Sequence, residues 1–418
     1  MKIVLTTMPY EGEYRDWTTH KYFKVDKVNK YMPLGILSLA TNLPKGHDVI
    51  IFDPSSYGWT ITETIQNIEA AAPDVLGLSV VNKRCYAMMQ ILQGVSCSYK
   101  CVGGPHATYH ADEILEQGAD VVFQGPLADN EFADLLPSKP KGKIQCSTEI
   151  NEIDYPRREF LNVADYFPTA SVLFKADKRL PMFSSVGCLN RCNFCSVQSK
   201  KLHLKHPKTI VDEMQYLQSL GAKSIHILDD NFNINYGHVV GVLNEMERQE
   251  FKGSWSMRGQ TRMDISIIPR MVNLGLTRVH VGIEALDYNI LRYFNKNETI
   301  ADIYKFCEAM VRNGVDIIGY FLLGTPVETE EYRKSLSQRI RDLGIKNPLF
   351  NILFPEPDTV YYRRLLRDGF YKDDIWAEYF KNPIADFIPS YPYGKEKQKE
   401  IMDFADEITE EFKKGDNG

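Results

Sequence analysis

Three cysteines stand on one short stretch, Cys188-Leu189-Asn190-Arg191-Cys192-Asn193-Phe194-Cys195, entered from the apolar run Met182-Phe183-Ser184-Ser185-Val186. Thiolates this close in sequence can converge on a metal centre, and soft sulfur ligands favour zinc, copper(I) or an iron–sulfur cluster. A structural zinc site closes with a fourth Cys or His, yet His203 is followed by no second cysteine pair. A [4Fe–4S] cluster held by Cys188, Cys192 and Cys195 instead leaves one iron open to a substrate or cosubstrate. Three buried or incidental cysteines are the plain alternative.

The elements around this loop must position it. Before it, Lys2–Thr7, Asp48–Phe52, Val75–Val80, Cys101–Val102 and Val121–Phe123 read as strands, with helical segments over 36–42, 61–72 and 88–92 between them. Such alternation implies parallel pairing and a Rossmann-like doubly wound sheet, with any ligand at the carboxyl ends of the strands. Leu34 and Gly35, Ser79, and Gly103 with Gly104 fall at those ends. Glycines there let a ligand approach the backbone, although a tight strand-to-helix turn explains them equally well. No GxGxxG follows a strand, so a nicotinamide or flavin site is unsupported.

Beyond the cysteines, strands over 224–228, 254–257, 278–282, 316–323 and 349–353 alternate with helices over 210–220, 239–249, 267–275, 300–313 and 328–343. With the strand into Cys188 these make a partial (β/α)6 TIM-like barrel, whose chemistry belongs at the carboxyl strand ends. Asp229 and Asp230, Arg262, Glu284, and Gly324 with Pro326 sit there. Taken singly, the aspartates could cap a helix or form an Asx turn and Arg262 could be a surface base, whereas Glu284, closing an apolar strand, needs a buried partner. The expected class is α/β throughout. Its divisions are a Rossmann-like domain at 1–138, a linker at 139–175 that opens on PSKPKGK, a barrel at 176–365 and a short, mostly helical C-terminal segment at 366–418. In that last segment Trp376, Tyr379, Phe380, Phe387, Tyr391 and Tyr393 read as a cover for the barrel mouth, and 396–414 as a charged amphipathic helix with a solvated face.

The CxxxCxxC spacing, with Phe194 just before the third cysteine, resembles the radical S-adenosylmethionine (radical SAM) enzymes. QTRMD (260–264) resembles that family's QTRVD, VGIEA (281–285) its GIES with Ala285 in place of serine, FLLGTP (321–326) its FxxGLP, and FPEPDT (354–359) its P-x-PGT with Asp358 in place of glycine. The resemblance implies that Cys188, Cys192 and Cys195 ligate a [4Fe–4S] cluster whose open iron chelates SAM, and that the reduced cluster cleaves SAM to a 5′-deoxyadenosyl radical. It also implies SAM contacts from Phe194 near the adenine, from Asp229 or Asp230, from Arg262, from Glu284, and from Gly324 and Pro326. A guanidinium such as that of Arg262 can fork onto a carboxylate. MPLGILSLA (32–40), DVLGLSVV (74–81), VGGPHAT (102–108) and GADVVFQG (118–125) resemble the cobalamin-binding domain that precedes the barrel in one large subfamily of methyltransferases and anaerobic ring cyclases. Leu34, Gly35, Ser79, Gly103, Gly104 and Gly125 would then meet cobalamin. There is no DxHxxG, and Gly125-Pro126-Leu127-Ala128 stands where the subfamily usually reads GEGE; a Rossmann-like module without cofactor is the alternative.

Composition bounds the rest. The 418 residues carry a formal charge of −6, which argues against a nucleic-acid partner. No apolar run is long enough to span a membrane, and the five further cysteines, Cys85, Cys97, Cys101, Cys146 and Cys307, form no disulfide framework, so the expected setting is cytoplasmic. The expected activity is methyl transfer to a small-molecule substrate through cobalamin, with electrons from a donor such as flavodoxin or ferredoxin. Rearrangement or cyclisation, transfer of the 3-amino-3-carboxypropyl group of SAM, and a non-catalytic iron–sulfur binding protein are the alternatives.

Overall fold

The computed structural model describes residues 1–9, 13–15, 22–24, 31–167, 178–197, 199–385, 387 and 389–415. Its contacts divide the chain into two compact units. The first holds six parallel strands: β1 (Lys2–Thr6), β2 (Asp48–Phe52), β3 (Val75–Ser79), β4 (Lys100–Gly103), β5 (Val121–Gln124) and β6 (Gly142–Gln145). They lie in the order β2-β1-β3-β4-β5-β6. β1 and β3 are apolar and buried on both faces because helices cover both sides of a parallel sheet. The order reverses between β1 and β3, where a doubly wound sheet opens a crevice at its carboxyl edge. Helix Ile61–Ala71 starts on a capping box, Thr60 and Glu63 exchanging side-chain-to-backbone bonds, which satisfies two of the helix's unpaired amides.

Two features of this unit depart from the sequence reading. β6 lies inside the expected linker; it is a sheet edge with alternating, incomplete burial, so its lysine and glutamine reach water and its composition resembles a loop. Residues 374–388, expected over the barrel mouth, belong to this unit instead. The Phe380 carbonyl accepts from Gln117 Nε2 at 2.7 Å, and its ring lies 4.6 Å from His106 and 4.1 Å from His110. Trp376, Tyr379 and Phe387 stack around it.

The second unit is a six-stranded parallel sheet in chain order: β7 (Arg179–Met182), β8 (Ser224–Ile227), β9 (Ser254–Gly259), β10 (Leu276–Glu284), β11 (Asp316–Leu323) and β12 (Asn347–Ile352). Ile225, Ile227, Trp255, Met257, Val279 and Val281, alternating along their strands, are fully buried. The helices Pro207–Ser219, Tyr236–Arg248, Ile300–Arg312 and Glu330–Asp342 supply the apolar stripes that cover such a face. Helix Lys395–Gly415 is more than a solvated face: Ile401, Ala405, Ile408 and Phe412 are buried at helical spacing, and Phe412 packs on Phe350 of β12. No helix among the described residues is long and apolar enough to cross a membrane.

Candidate functional site

The cysteine loop is fixed at its start by the tip of the neighbouring strand. Asp229, directly after β8 and fully buried, accepts from the Ser184 amide at 2.7 Å, Ser184 Oγ at 2.5 Å and Ser185 Oγ at 2.6 Å. Burial pushes its carboxyl above the usual range, and the seryl bonds pull it back. Both oxygens are thereby engaged, so Asp229 shapes the start of the loop. Asp230 is exposed; it accepts from the Gly187 amide at 2.9 Å and lies close enough to Cys195 to help hold that thiol protonated. Gly187, at φ +94°, could carry no side chain, since a Cβ would run into the Lys201 carbonyl.

The far side of the loop is clamped as well. The Asn193 amide donates to the Phe294 carbonyl at 2.9 Å, its side chain donates to the Tyr293 carbonyl at 2.7 Å, and its own carbonyl accepts from the Tyr361 amide at 2.8 Å. Phe194 packs edge-on against Phe294, with ring centroids 5.0 Å apart. Tyr361 belongs to helix Val360–Arg367, capped by Thr359. Asp358 just before it has φ +64°, the left-handed conformation that explains the glycine of the related motif and that aspartate tolerates better than most residues.

Burial pushes the Cys192 thiol up to about 12 and raises that of Cys195, while Lys296 opposes the shift at Cys192. Among the described residues no three His, Cys, Asp or Glu side chains close on a single metal ion. A cubane makes no such demand, because its cysteines ligate different irons and stand farther apart. The donor set fits a cluster: Cys192 lies within electrostatic reach of Cys188 and Cys195, Cys195 within reach of Cys188, and metal binding would deprotonate them outright.

Glu284 closes β10 at φ +63°, where the register with β11 shifts. Its carboxylate folds back over Gly282, a position with no room for a Cβ. The partner it needed is Lys296, at 3.4 Å, which also meets Glu298 at 3.2 Å. Burial alone would lower the lysine's pKa, but the carboxylates of Glu284 and Glu298, with Cys192 beside them, outweigh it and raise it instead. Burial acts oppositely on Glu284, raising it. Glu298 in turn accepts from the Thr261 amide at 2.5 Å, Thr261 Oγ1 at 2.9 Å and the Arg262 amide at 3.2 Å, which ties the tip of β9 to the same charge. Arg262 is exposed, bonded to Asn297 Oδ1 at 2.8 Å, and lines a cleft of about 660 Å³ with Leu189 and Asn190 of the cysteine loop. Gly324 donates to Glu328 and accepts from Tyr391 Oη at 2.9 Å, so its polar atoms are engaged; Pro326 is exposed.

Sequence reasoning missed Lys296, Glu298 and Asn231. The first two sit in a polar run, Asn295-Lys296-Asn297-Glu298, that shows no periodicity, and only the need of Glu284 for a cation pointed toward them. Asn231 is buried, its Nδ2 donating to Gln260 Oε1 at 3.0 Å and lying 4.0 Å from Cys188 Sγ.

In the first unit, Leu34 is buried and Gly35 exposed in the first turn of helix Leu34–Asn42, and a Cβ on Gly35 would meet nothing within 4 Å. Gly103, closing β4, has nearly as much room, while Ser79 closes β3 beside it. Gly104 (φ +95°) and Gly125 (φ +139°) are explained by the chain itself, since a Cβ would press on the Val80 backbone at 2.9 Å or on Cys146 at 3.1 Å. His106 is buried with both ring nitrogens occupied, by Cys85 Sγ at 3.2 Å and Asn82 Oδ1 at 2.9 Å. A side chain at Gly35 or Gly103 would meet almost nothing, so the backbone at this carboxyl edge is open to close approach by a flat macrocycle such as a corrin.

Comparison with known families matches the radical SAM superfamily over residues 182–340 and the B12 binding domain over residues 27–133. Residues 182–340 carry the radical SAM domain. The chain is 24% identical over 373 residues to an uncharacterized methyltransferase of Pyrococcus horikoshii, covering 83% of this chain and 81% of the relative. It is 25% identical over 358 residues to the bacteriochlorophyllide d C-12(1)-methyltransferase of Chlorobaculum tepidum, covering 82% and 75%. Its fold is that of TsrM from Kitasatospora setae, a radical S-adenosylmethionine methyltransferase whose structure has cobalamin and a [4Fe–4S] cluster bound: TM-score 0.66 at 15% identity, covering 88% of this chain and 75% of that one.

Proposed function

We propose that this radical SAM enzyme is a cobalamin-dependent methyltransferase acting on a small-molecule substrate. One observation carries the reading: a chain with a clamped cysteine triad on its barrel also leaves open space at Gly35 and Gly103, where a doubly wound sheet binds its ligand. When bound, the cluster supplies the electron that cleaves SAM and cobalamin carries the methyl group. Cys188, Cys192 and Cys195 would hold the cluster. Phe194, Asp230, Arg262, Glu284 and the turn from Gly324 to Pro326 would hold SAM, with Asp229 positioning the loop through Ser184 and Ser185. Lys296 pairs with Glu284 and opposes the rise that burial imposes on its carboxyl, so that the strand tip would offer a fixed acceptor for hydroxyl donors. Leu34, Gly35, Ser79 and Gly103 would line the cobalamin face, with Gly104 and Gly125 shaping its loops. The functional divisions follow the two units, with 374–388 counted in the first. Electrons would come from a carrier such as flavodoxin or ferredoxin, in the cytoplasm.

Anaerobic reconstitution with and without hydroxocobalamin tests this reading. Retained cobalamin, with S-adenosylhomocysteine formed from SAM only when cobalamin is present and 5′-deoxyadenosine formed alongside it, supports methyl transfer. Methylthioadenosine, or turnover indifferent to cobalamin, overturns it.

A further inference from the structure

The inner face of the barrel sheet carries a charge that the cysteine loop does not use. Along β9, Trp255 and Met257 are buried outward, while Ser256 and Arg258 point to the opposite face. His226 pairs in register with Ser256, and His280 with Arg258. The imidazoles stack at 4.7 Å; His226 Nδ1 meets Ser256 Oγ at 2.8 Å and His280 Nδ1 meets Tyr320 Oη at 3.1 Å. Burial, reinforced by nearby guanidinium groups, holds both imidazoles well below their ordinary range and hence neutral. Arg278, lower on this face, is matched by Asp316 at 2.6 Å.

Arg258 differs. It stands at the centre of the sheet with its side chain exposed, near enough to Tyr320 and both histidines to act on them, yet it has no hydrogen-bond or ion-pair partner among the described residues. A guanidinium presents a planar fork of donors that matches a carboxylate bidentately, and the neutral imidazoles and phenol beside it offer no counter-charge. We propose that Arg258 is a specificity residue that binds a carboxylate of the methyl acceptor, with Tyr320 beside it. A single uncompensated cation suits one carboxylate better than a phosphate dianion. This rests on the reading that the barrel carries the reaction.

Phenylacetate and phenylacetamide, alike in shape and different in charge, are the probes. Calorimetric titration of the anaerobically reconstituted full chain is expected to show phenylacetate binding about tenfold tighter. Arg258→Gln should remove that preference and leave phenylacetamide unchanged, while Arg258→Lys, at unaltered iron content, should keep part of it. Equal affinities in the wild-type protein, or no binding of either probe up to about 10 mM, overturn the proposal, as does a preference that survives Arg258→Gln. The titration needs no SAM cleavage, so failure of the radical chemistry with the preference intact would count against the proposed function alone.

Discussion

The two parallel sheets hold their carboxyl ends open in opposite ways. In the first unit the edge at β3, β4 and the first turn of helix Leu34–Asn42 is made of small, neutral groups, Ser79, Gly103 and Gly35, while His106 and, after β2, Asp53 are buried polar side chains engaged within the unit. In the second unit the same edge carries buried charge, Asp229 under the cysteine loop and the Glu284–Lys296–Glu298 chain beside it. The difference follows from what each edge would hold. A broad macrocycle is gripped by surface, and backbone must come close; a zwitterion chelated to iron is gripped by charge, and charge must be held at fixed points.

Exchanging the rules breaks the comparison most visibly at the cysteines. Cys192→Ala should lower iron content and abolish 5′-deoxyadenosine formation while cobalamin retention stays as in the wild type; iron content equal to wild type would refute the ligand assignment. Acid should act next, and unequally. A histidine held below its ordinary value of 6.5 contributes stability that is complete above pH 6.5 and is lost as pH falls toward its folded value, about 4 for His238. That is roughly 3 kcal/mol for His238, and the barrel holds His226 and His280 besides, against His106 in the first unit. Urea titrations read by limited proteolysis should show the barrel losing more stability than the first unit on lowering pH from about 7 to about 5. Equal losses would contradict the assignment of these imidazoles as neutral.

Glycine substitutions sharpen the first unit's side of the comparison. Gly104→Ala should cost about 2 kcal/mol in a denaturant titration, since left-handed backbone and the Val80 contact both resist a side chain. Gly35→Ala should leave stability within about 1 kcal/mol but weaken hydroxocobalamin retention; unchanged retention would remove Gly35 from the cofactor face. The smallest effect is a gain. Asp358→Gly should stabilise the barrel by less than about 1 kcal/mol by relieving the positive φ, seen as a small rise in thermal midpoint.

Much of this was legible in the chain. Apolar runs located the strands of the two six-stranded sheets except β6, and placed β7 a few residues late, on 182–186, where Ser185–Val186 instead pairs antiparallel with His203–Leu204; the cysteine spacing located the loop. Burial was harder to read: Asp229 looked like a ligand contact because an acidic strand tip looks the same whether it faces a cofactor or two serines. Lys296 lay hidden in a loop, since an ion pair between a strand end and a segment twelve residues later leaves no periodic trace. Trp376 to Phe387 were misplaced because aromatic composition announces burial without naming the surface that receives it.

The latch from Asp229 to Ser184 and Ser185 is complete in protein atoms alone. None of these bonds involves a thiol, so the restraint on the start of the loop draws on none of the groups that would bind iron.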